Sequence, residues 1–160
     1  MENLEQIKTQ LTKLGYRLSV AESLSTGNLQ SSIGGITGAT SYFEGGITVY
    51  SLDQKVNLLN IDEDHAMTVN CVSERVAKEM AIGVCKLFNT QIGISTTGYA
   101  EPNEEMKIDQ PFAYYCIWND VTQKTLQSEA INLHKGSRIG NQILVTDVVI
   151  NQLSRCLGEV

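Results

Sequence analysis

Three short polar segments of the chain contain the residue types that acyl-transfer chemistry needs. They span residues 22–28, 50–55 and 96–102, and each one follows or ends a stretch with strand character. In open α/β sheets, ligands collect outside the carboxyl ends of the strands. The three segments could therefore converge on one crevice, provided that the strand order brings their ends together.

The first segment contains a candidate nucleophile in a small polar turn between a predicted strand and a predicted helix. Ser23, Ser25 and Thr26 supply hydroxyl groups, and Gly27 lets a ligand approach the backbone closely. Backbone N–H groups at such a junction favour an anion or a developing oxyanion. Ser23 attacks a carbonyl only if a base activates it. Spacing alone favours the alternative, in which the serine is a helix N-cap.

The second segment contains a candidate base. Lys55, removed from water, would have a lowered pKa and could take a proton from a serine, and Tyr50 could orient or relay that proton. Ser51 follows Tyr50 at the end of the predicted strand, two residues before the predicted helix that carries Lys55. The alternative is a solvated lysine on a short helix and a tyrosine that only packs.

The remaining candidates are ligand-binding groups. The hydroxyl of Thr97 and the backbone of Gly98 could hold a phosphate or a carboxamide, or the hydroxyl could simply satisfy a turn. Arg138, at the start of the last predicted helix, could bind a phosphate with two hydrogen bonds, or it could be a solvated surface arginine.

Other catalytic constellations do not fit the sequence. The two histidines, His65 and His134, lie outside the strand-end segments, so no Ser-His-Asp set is expected. There is no P-loop, and the glycines near position 34 do not match the dinucleotide fingerprint. The four cysteines include no pair at two-residue spacing, so we expect no metal site and reduced, mostly buried cysteines in a cytoplasmic protein.

Composition limits the class of partner. The 12 basic and 18 acidic residues give a net charge of −6, which argues against binding to nucleic acid or to an anionic membrane surface. An apolar content of 42% with 19% charged residues is typical of a globular domain. No apolar stretch approaches the ~18 residues of a membrane span, and no secretory signal is visible at the N-terminus.

Hydrophobic spacing predicts alternating helices and strands. Two helices are predicted at 2–14 and 53–59. A third is marked by Leu29, Ile33 and Ile36, and the last by Ile139, Ile143, Val148 and Leu153. Ser73 is predicted to cap a further helix, whose buried stripe is Val76, Met80, Val84 and Leu87. The predicted strands are 16–21, 43–51, 91–97, 112–119 and 125–133, with a loop over 98–110. This alternation indicates one α/β domain over residues 1–160, with a mixed sheet and helices on both faces.

Taken together, the segments resemble the CinA C-terminal domain family of nicotinamide-nucleotide amidases. The resemblance runs from about residue 3 to about residue 155. It rests on three motifs: Ala21-Glu22-Ser23-Leu24-Ser25-Thr26-Gly27, then Gly45-Gly46-Ile47-Thr48-Val49-Tyr50-Ser51 with Lys55, then Val72-Ser73-Glu74.

The resemblance implies hydrolysis of the carboxamide of nicotinamide mononucleotide, which yields nicotinic acid mononucleotide and ammonia. It implies Ser23 as the nucleophile with Lys55 and Tyr50 assisting, and backbone N–H groups near Gly27 as the oxyanion site. Glu22 belongs to the same motif and is expected in the substrate-binding set. The reaction then needs no metal or cofactor, the partner is a small nucleotide, and a homodimer is expected.

Four positions depart from the family pattern. Thr26, Glu101 and Phe112 stand where the family has glycines, and Gln142 stands where it has a second arginine. The acyl-transfer residues are therefore kept, whereas much of the expected phosphate-binding surface is not. Two functions remain open: an amidase, acting on this nucleotide or on a related substrate that depends less on phosphate, and a non-catalytic module that binds a ligand or partner.

Overall fold

The computed structural model describes residues 2–158, and these residues form five strands and six helices. The strands are β1 (Leu18–Glu22), β2 (Phe43–Thr48), β3 (Ile92–Tyr99), β4 (Phe112–Asn119) and β5 (Lys124–Asn132). The helices are α1 (Glu2–Leu14), α2 (Asn28–Gly34), α3 (Leu52–Leu59), α4 (Glu63–Thr68), α5 (Glu74–Phe88) and α6 (Arg138–Leu157), with a 3₁₀ turn at Ala39–Ser41.

The strand order creates a switch point at the carboxyl end of β1. The order is β2-β1-β3-β4-β5, with β1 parallel to both of its neighbours and β4 and β5 added antiparallel. After β1 the chain first forms the strand on one side and later the strand on the other. The carboxyl ends of β2, β1 and β3 therefore lie at one edge of the sheet, where such folds bind ligands.

Helices cover both faces of the sheet, which confirms the predicted α/β architecture with a mixed sheet. One face carries α1, α2 and α6, whose apolar side chains pack on strand residues such as Val20 and Ile94. The other face carries α5, with α3 and α4 packed nearby, and buries Ala21 and Cys116. All five residues of β1 are buried because both of its faces are covered.

Serine caps place the helices that follow the strands. The side-chain oxygens of Ser51, Ser73 and Ser137 accept hydrogen bonds from backbone N–H groups in the first turns of α3, α5 and α6. Such a cap satisfies an amide that the helix itself leaves without a partner. The predicted cap at Ser73 is confirmed, and the cap at Ser51 sets the position of Lys55 one turn later.

Some predicted helix details are wrong. Helix α2 ends at Gly34, before Ile36, and Leu87 is 47% exposed although it was expected in the buried stripe of α5. Ile139 and Ile143, which helped to predict α6, are also exposed. Helix α4 was not predicted, because six mostly polar residues around the single buried Ala66 produce no hydrophobic period.

Strand boundaries shift for identifiable reasons. Strand β1 begins at Leu18 rather than at residue 16, because the N–H of Tyr16 still donates to Leu11 O at the end of α1. Strand β2 ends at Thr48, three residues early. Gly98 and Tyr99, predicted as loop, extend β3 because they pair with Ala113 and Phe112.

Across residues 2–158, none of the helices has the combination of length and apolarity that crossing a bilayer requires.

Candidate active site

The hydroxyl of Ser23 lies at the switch point of the sheet. Ser23 directly follows β1, its N–H donates to Thr96 O at 3.0 Å, and its side chain is almost fully buried. Helix α2 begins only at Asn28 with Gly27 as its cap residue. Ser23 is therefore not the N-cap of this helix, which was the function that spacing alone favoured.

The amine of Lys55 lies within hydrogen-bond distance of that hydroxyl. Lys55 is in the first turn of α3 and is 1% exposed, so the alternative of a solvated lysine is wrong. Its Nζ donates to Ser23 Oγ at 3.0 Å and to the backbone carbonyl of Tyr50 at 2.9 Å. A buried amine beside a serine hydroxyl is the arrangement that a serine nucleophile and its base require.

Burial changes the protonation equilibrium of Lys55. Removal from water lowers the pKa of the Lys55 amine below its ordinary value, and the nearby Cys71 thiol opposes part of this change. No described carboxylate makes an ion pair with Lys55 within residues 2–158. The neutral amine, which is the form that can accept a proton, is therefore favoured relative to a lysine in water.

A cleft of about 360 Å³ opens above the Ser23–Lys55 pair. Its volume lies in the range of about 300–1,000 Å³ that is usual for small-molecule sites. The carboxyl ends of three parallel strands contribute to it, so the predicted convergence of the three polar segments occurs. The lining residues include Ser23, Tyr50, Ser51, Lys55, Asn70, Cys71, Thr97, Gly98, Tyr99, Glu101 and Arg138.

The phenol of Tyr50 makes its hydrogen bond at the mouth of the cleft and not with Lys55. The Tyr50 side chain is 56% exposed, and its oxygen accepts from Arg138 Nη2 at 2.5 Å. Arg138 also donates from Nη1 to Glu101 Oε1 at 2.6 Å. Only the backbone carbonyl of Tyr50 contacts Lys55, so the expected proton relay through the phenol has no hydrogen bond to support it here.

Glu22 holds the start of helix α2 and does not line the cleft, in contrast to its predicted place in the substrate-binding set. Its fully buried carboxylate accepts hydrogen bonds from the N–H groups of Gly27, Leu29 and Gln30 at 3.0, 3.2 and 2.8 Å. A carboxylate is favoured there because it faces the positive end of the helix dipole. Glu22 thus fixes the turn that carries Ser23.

Glu22→Gln is expected to lower the free energy of unfolding by about 1–3 kcal/mol, because an amide replaces one acceptor oxygen with a donor and leaves buried N–H groups without partners. Urea unfolding measures the change. The control is Glu105→Gln, the same substitution on an exposed loop, for which we expect less than about 0.5 kcal/mol. Equal unfolding free energies for the two variants would contradict this function of Glu22.

Of the backbone N–H groups near Gly27 that were expected to form the oxyanion site, the N–H of Gly27 itself is already used, because it donates to Glu22. Thr26 and Gly27 have left-handed φ angles of 48° and 100°, which shape the turn. Ser25 is fully buried and its Oγ lies 2.7 Å from Thr96 Oγ1, so it too contacts the scaffold. Neither Ser25, Thr26 nor Gly27 is among the residues that line the cleft.

The other predicted binding residues do reach the cleft. Ser51 lines it while its Oγ caps α3. Thr97 lines it, and its hydroxyl donates to Cys71 O at 2.6 Å, so it bonds to a distant loop and not within a turn. Gly98 packs so closely on β4 that an added Cβ would lie 2.5 Å from Phe112 O.

One wall of the cleft was not predicted from the sequence. Asn70 and Cys71 line it from the loop after α4, and both have left-handed φ angles, 48° and 60°. Asn70 Nδ2 donates to Tyr99 Oη at 3.0 Å, which joins this loop to β3. The loop follows a helix and not a strand, so the rule that locates ligands at strand ends did not indicate it. The only signal in the sequence was Asn70 itself, because asparagine is common in turns.

Three of the four residues that depart from the family pattern, Thr26, Phe112 and Gln142, lie outside the lining of the cleft. Phe112 packs against Tyr99 and Tyr114 with ring centroids 5.6 and 5.8 Å apart, and Gln142 is buried in α6. Within residues 2–158 none of the four cysteines forms a disulfide, and Cys85 and Cys116 are buried. No group of three or more His, Cys, Asp or Glu residues suited to a metal ion occurs in the part of the chain that is described.

Fold and site together define a mixed α/β domain with a buried serine–lysine pair at its switch point. Residues 2–157 match the CinA C-terminal domain family, and the chain belongs to this family. It is 35% identical over 157 residues to a competence-damage inducible protein of Alkaliphilus oremlandii, and 39% identical over 113 residues to a CinA-like protein of Chlorobium limicola. These matches cover 96% and 71% of the chain, but 37% and 26% of the two relatives.

Solved structures share the fold at low sequence identity. A competence-damaged protein (CinA) superfamily protein from Klebsiella pneumoniae superposes with a TM-score of 0.88 at 20% identity, covering 99% of this chain and 98% of that one. A competence or damage-inducible protein from Enterobacter asburiae gives 0.82 at 23% identity, covering 99% and 96%. The resemblance to the family is thus confirmed, and the fold is the family fold.

Proposed function

We propose that the protein is an amidohydrolase in which Ser23 is the nucleophile and Lys55 is the general base. The observation that carries the proposal is the 3.0 Å contact between Ser23 Oγ and the buried Lys55 Nζ beside the cleft. The chain spans about a third of the length of the curated relatives it matches.

The proposed reaction follows from the properties of these groups. Neutral Lys55 accepts the proton of the Ser23 hydroxyl as Oγ forms a bond to the carboxamide carbon. The Lys55 ammonium then donates a proton to the nitrogen as the C–N bond breaks and ammonia leaves. Water attacks the acyl-serine in the same way, so that carboxamide and water become carboxylate and ammonium.

The oxyanion needs a donor other than Gly27. The N–H of Leu24, the residue after the nucleophile, makes no hydrogen bond with any described residue. The amide that follows a nucleophilic serine in a strand-to-helix turn is a common oxyanion donor. We assign this function to Leu24.

The family resemblance supplies the substrate. We propose the carboxamide of nicotinamide mononucleotide, with nicotinic acid mononucleotide and ammonia as the products. The volume of about 360 Å³ suits a ligand of nucleotide size that is partly exposed. A homodimer remains the expected assembly.

A non-catalytic binding module is the second candidate, and two contacts favour it. The guanidinium of Arg138 is already paired with Glu101, and the N–H of Gly27 is already bonded to Glu22. Both groups were expected to contact the substrate. A chain that kept the cleft but lost these contacts would bind a ligand without turning it over.

Ammonia release separates the two functions. We expect the protein to release ammonia from nicotinamide mononucleotide, together with an equal amount of the acid, above a blank without protein. A coupled ammonia assay and separation of the two nucleotides measure the products. A rise in melting temperature with the nucleotide, but no ammonia at high protein and substrate concentrations, would overturn the amidase and favour the binding module.

A further inference from the structure

The cleft contains few charges, and they are arranged in two places. Of the residues that line it, only Lys55, Glu101 and Arg138 are carboxylic acids or strong bases. Lys55 is buried beside Ser23, whereas Glu101 and Arg138 lie at the exposed mouth. Any charge on the part of a substrate that projects toward solvent therefore meets this pair first.

Both terminal nitrogens of Arg138 are engaged within the protein. Nη1 donates to Glu101 Oε1 and Nη2 donates to Tyr50 Oη, at 2.6 and 2.5 Å. A phosphate binds an arginine best through two parallel N–H groups, and Glu101 and Tyr50 already use one N–H on each terminal nitrogen. A phosphate that binds the remaining N–H groups lies close to the Glu101 carboxylate, and one that displaces Glu101 leaves that carboxylate unpaired beside it.

We propose that Glu101 determines the charge selectivity of the site: by holding Arg138, it makes the cleft take pyridine-carboxamide nucleosides without a phosphate at least as well as the corresponding nucleotides. This inference rests on the proposed function for the identity of the carboxamide. It adds that the phosphate contributes nothing to binding, because like charge at the mouth offsets the attraction to Arg138.

The charge of the ring agrees with this substrate class. A pyridine carboxamide linked to a sugar through the ring nitrogen carries a positive charge. A nucleoside of this kind is a cation, and the carboxylate of Glu101 and the net charge of −6 both favour its approach. The phosphate reverses this advantage by adding negative charge at the same mouth.

Binding to the Ser23→Ala variant tests the inference without turnover. Calorimetry measures the dissociation constants of nicotinamide riboside and nicotinamide mononucleotide. We expect the nucleoside to bind at least as tightly as the nucleotide. Adding Glu101→Gln should tighten nucleotide binding by about tenfold and change nucleoside binding by less than about threefold, because Arg138 is released.

Two further variants make the result specific. Glu105→Gln removes the same charge from a neighbouring exposed position outside the cleft and should leave the ratio of the two constants unchanged. Adding Arg138→Gln to Glu101→Gln should abolish the gain for the nucleotide. Melting temperatures within about 2 °C would show that the variants are folded.

The inference is overturned if, in the protein that retains Glu101, the nucleotide binds more tightly than the nucleoside, or if Glu101→Gln changes both ligands equally. It is also overturned if neither ligand binds. Failure of the proposed function is a separate result, because it appears as the absence of ammonia release from the protein that retains Ser23.

Discussion

Ser23→Ala is expected to lower kcat for ammonia release by at least about 1,000-fold, because the variant has no oxygen that can form the acyl intermediate. The methyl group of alanine fits where the hydroxyl group lies, and the backbone N–H of an alanine can still donate to Thr96 O. Binding of the substrate should therefore persist, with the loss confined to kcat. Steady-state kinetics and calorimetry on the same preparation separate these two quantities.

Ser19→Ala is the matched control for this loss. Ser19 lies near the start of β1, the strand that Ser23 follows, and its buried Oγ contacts Val84 O and Thr90 Oγ1, none of which belongs to a residue that lines the cleft. We expect a small loss of stability of about 1 kcal/mol and little change in kcat. Retention of more than a tenth of the activity by Ser23→Ala would show that another group is the nucleophile.

Lys55→Met is expected to lower kcat/KM by about 100- to 10,000-fold, because no base then accepts the proton of Ser23. In the unaltered protein, kcat/KM should rise with pH as Lys55 loses its proton. Since burial lowers the pKa of Lys55, this rise should be centred below the ordinary lysine value of about 10.4. A pH–rate profile for the protein and the variant measures both effects, and a profile that falls over this range would contradict a lysine base.

The same substitution should increase stability at low pH. The pKa of Lys55 is lower in the folded chain than in the unfolded chain, so the unfolded chain binds more protons between the two values, and the stability of the protein rises with pH. Below the folded pKa the full cost of burying the ammonium is present, and Lys55→Met removes it. The advantage of the variant should therefore shrink as pH rises.

Urea unfolding at pH 6.5 and at pH 9.5 checks the sign. The control is Lys13→Met at the exposed end of α1, which should give the same small change in unfolding free energy at both values of pH. A stability difference for Lys55→Met that grows with pH would be the opposite of this expectation. The result would then exclude a buried lysine with a lowered pKa.

Local periodicity accounts for the parts of the fold that the sequence predicted well. Strand β4 was predicted at its observed bounds of Phe112–Asn119, and α1 and α3 within one residue of theirs. In these segments the apolar spacing and the caps depend only on neighbours in the chain. Helix α4 escaped prediction because it is held by its Asp62 cap and by Ala66 in the core, with no hydrophobic stripe.

In the candidate site, too, the residues were predicted but their hydrogen-bond partners were not. The residue types of Ser23 and Lys55 permit acyl transfer, but spacing alone favoured a helix N-cap and a solvated lysine, and the resemblance to the family motifs was needed to predict the pair. The hydrogen-bond partners of individual polar groups are not predictable in this way. Glu22 was expected to meet substrate but caps α2, and the phenol of Tyr50 was expected near Lys55 but accepts from Arg138.

The sequence by itself determined the alternation of elements, the family, and the pair of residues that can form and activate a nucleophile, because these depend on short-range spacing and on residue chemistry. Only the tertiary structure decided that β1 lies between β2 and β3 and that the buried Nζ of Lys55 lies 3.0 Å from Ser23 Oγ. The same is true of the hydrogen bond from Arg138 to the Glu101 carboxylate. The physical reason is that burial and hydrogen-bond pairing arise between residues distant in the chain. Packing, and not local pattern, selects which of the possible partners meet.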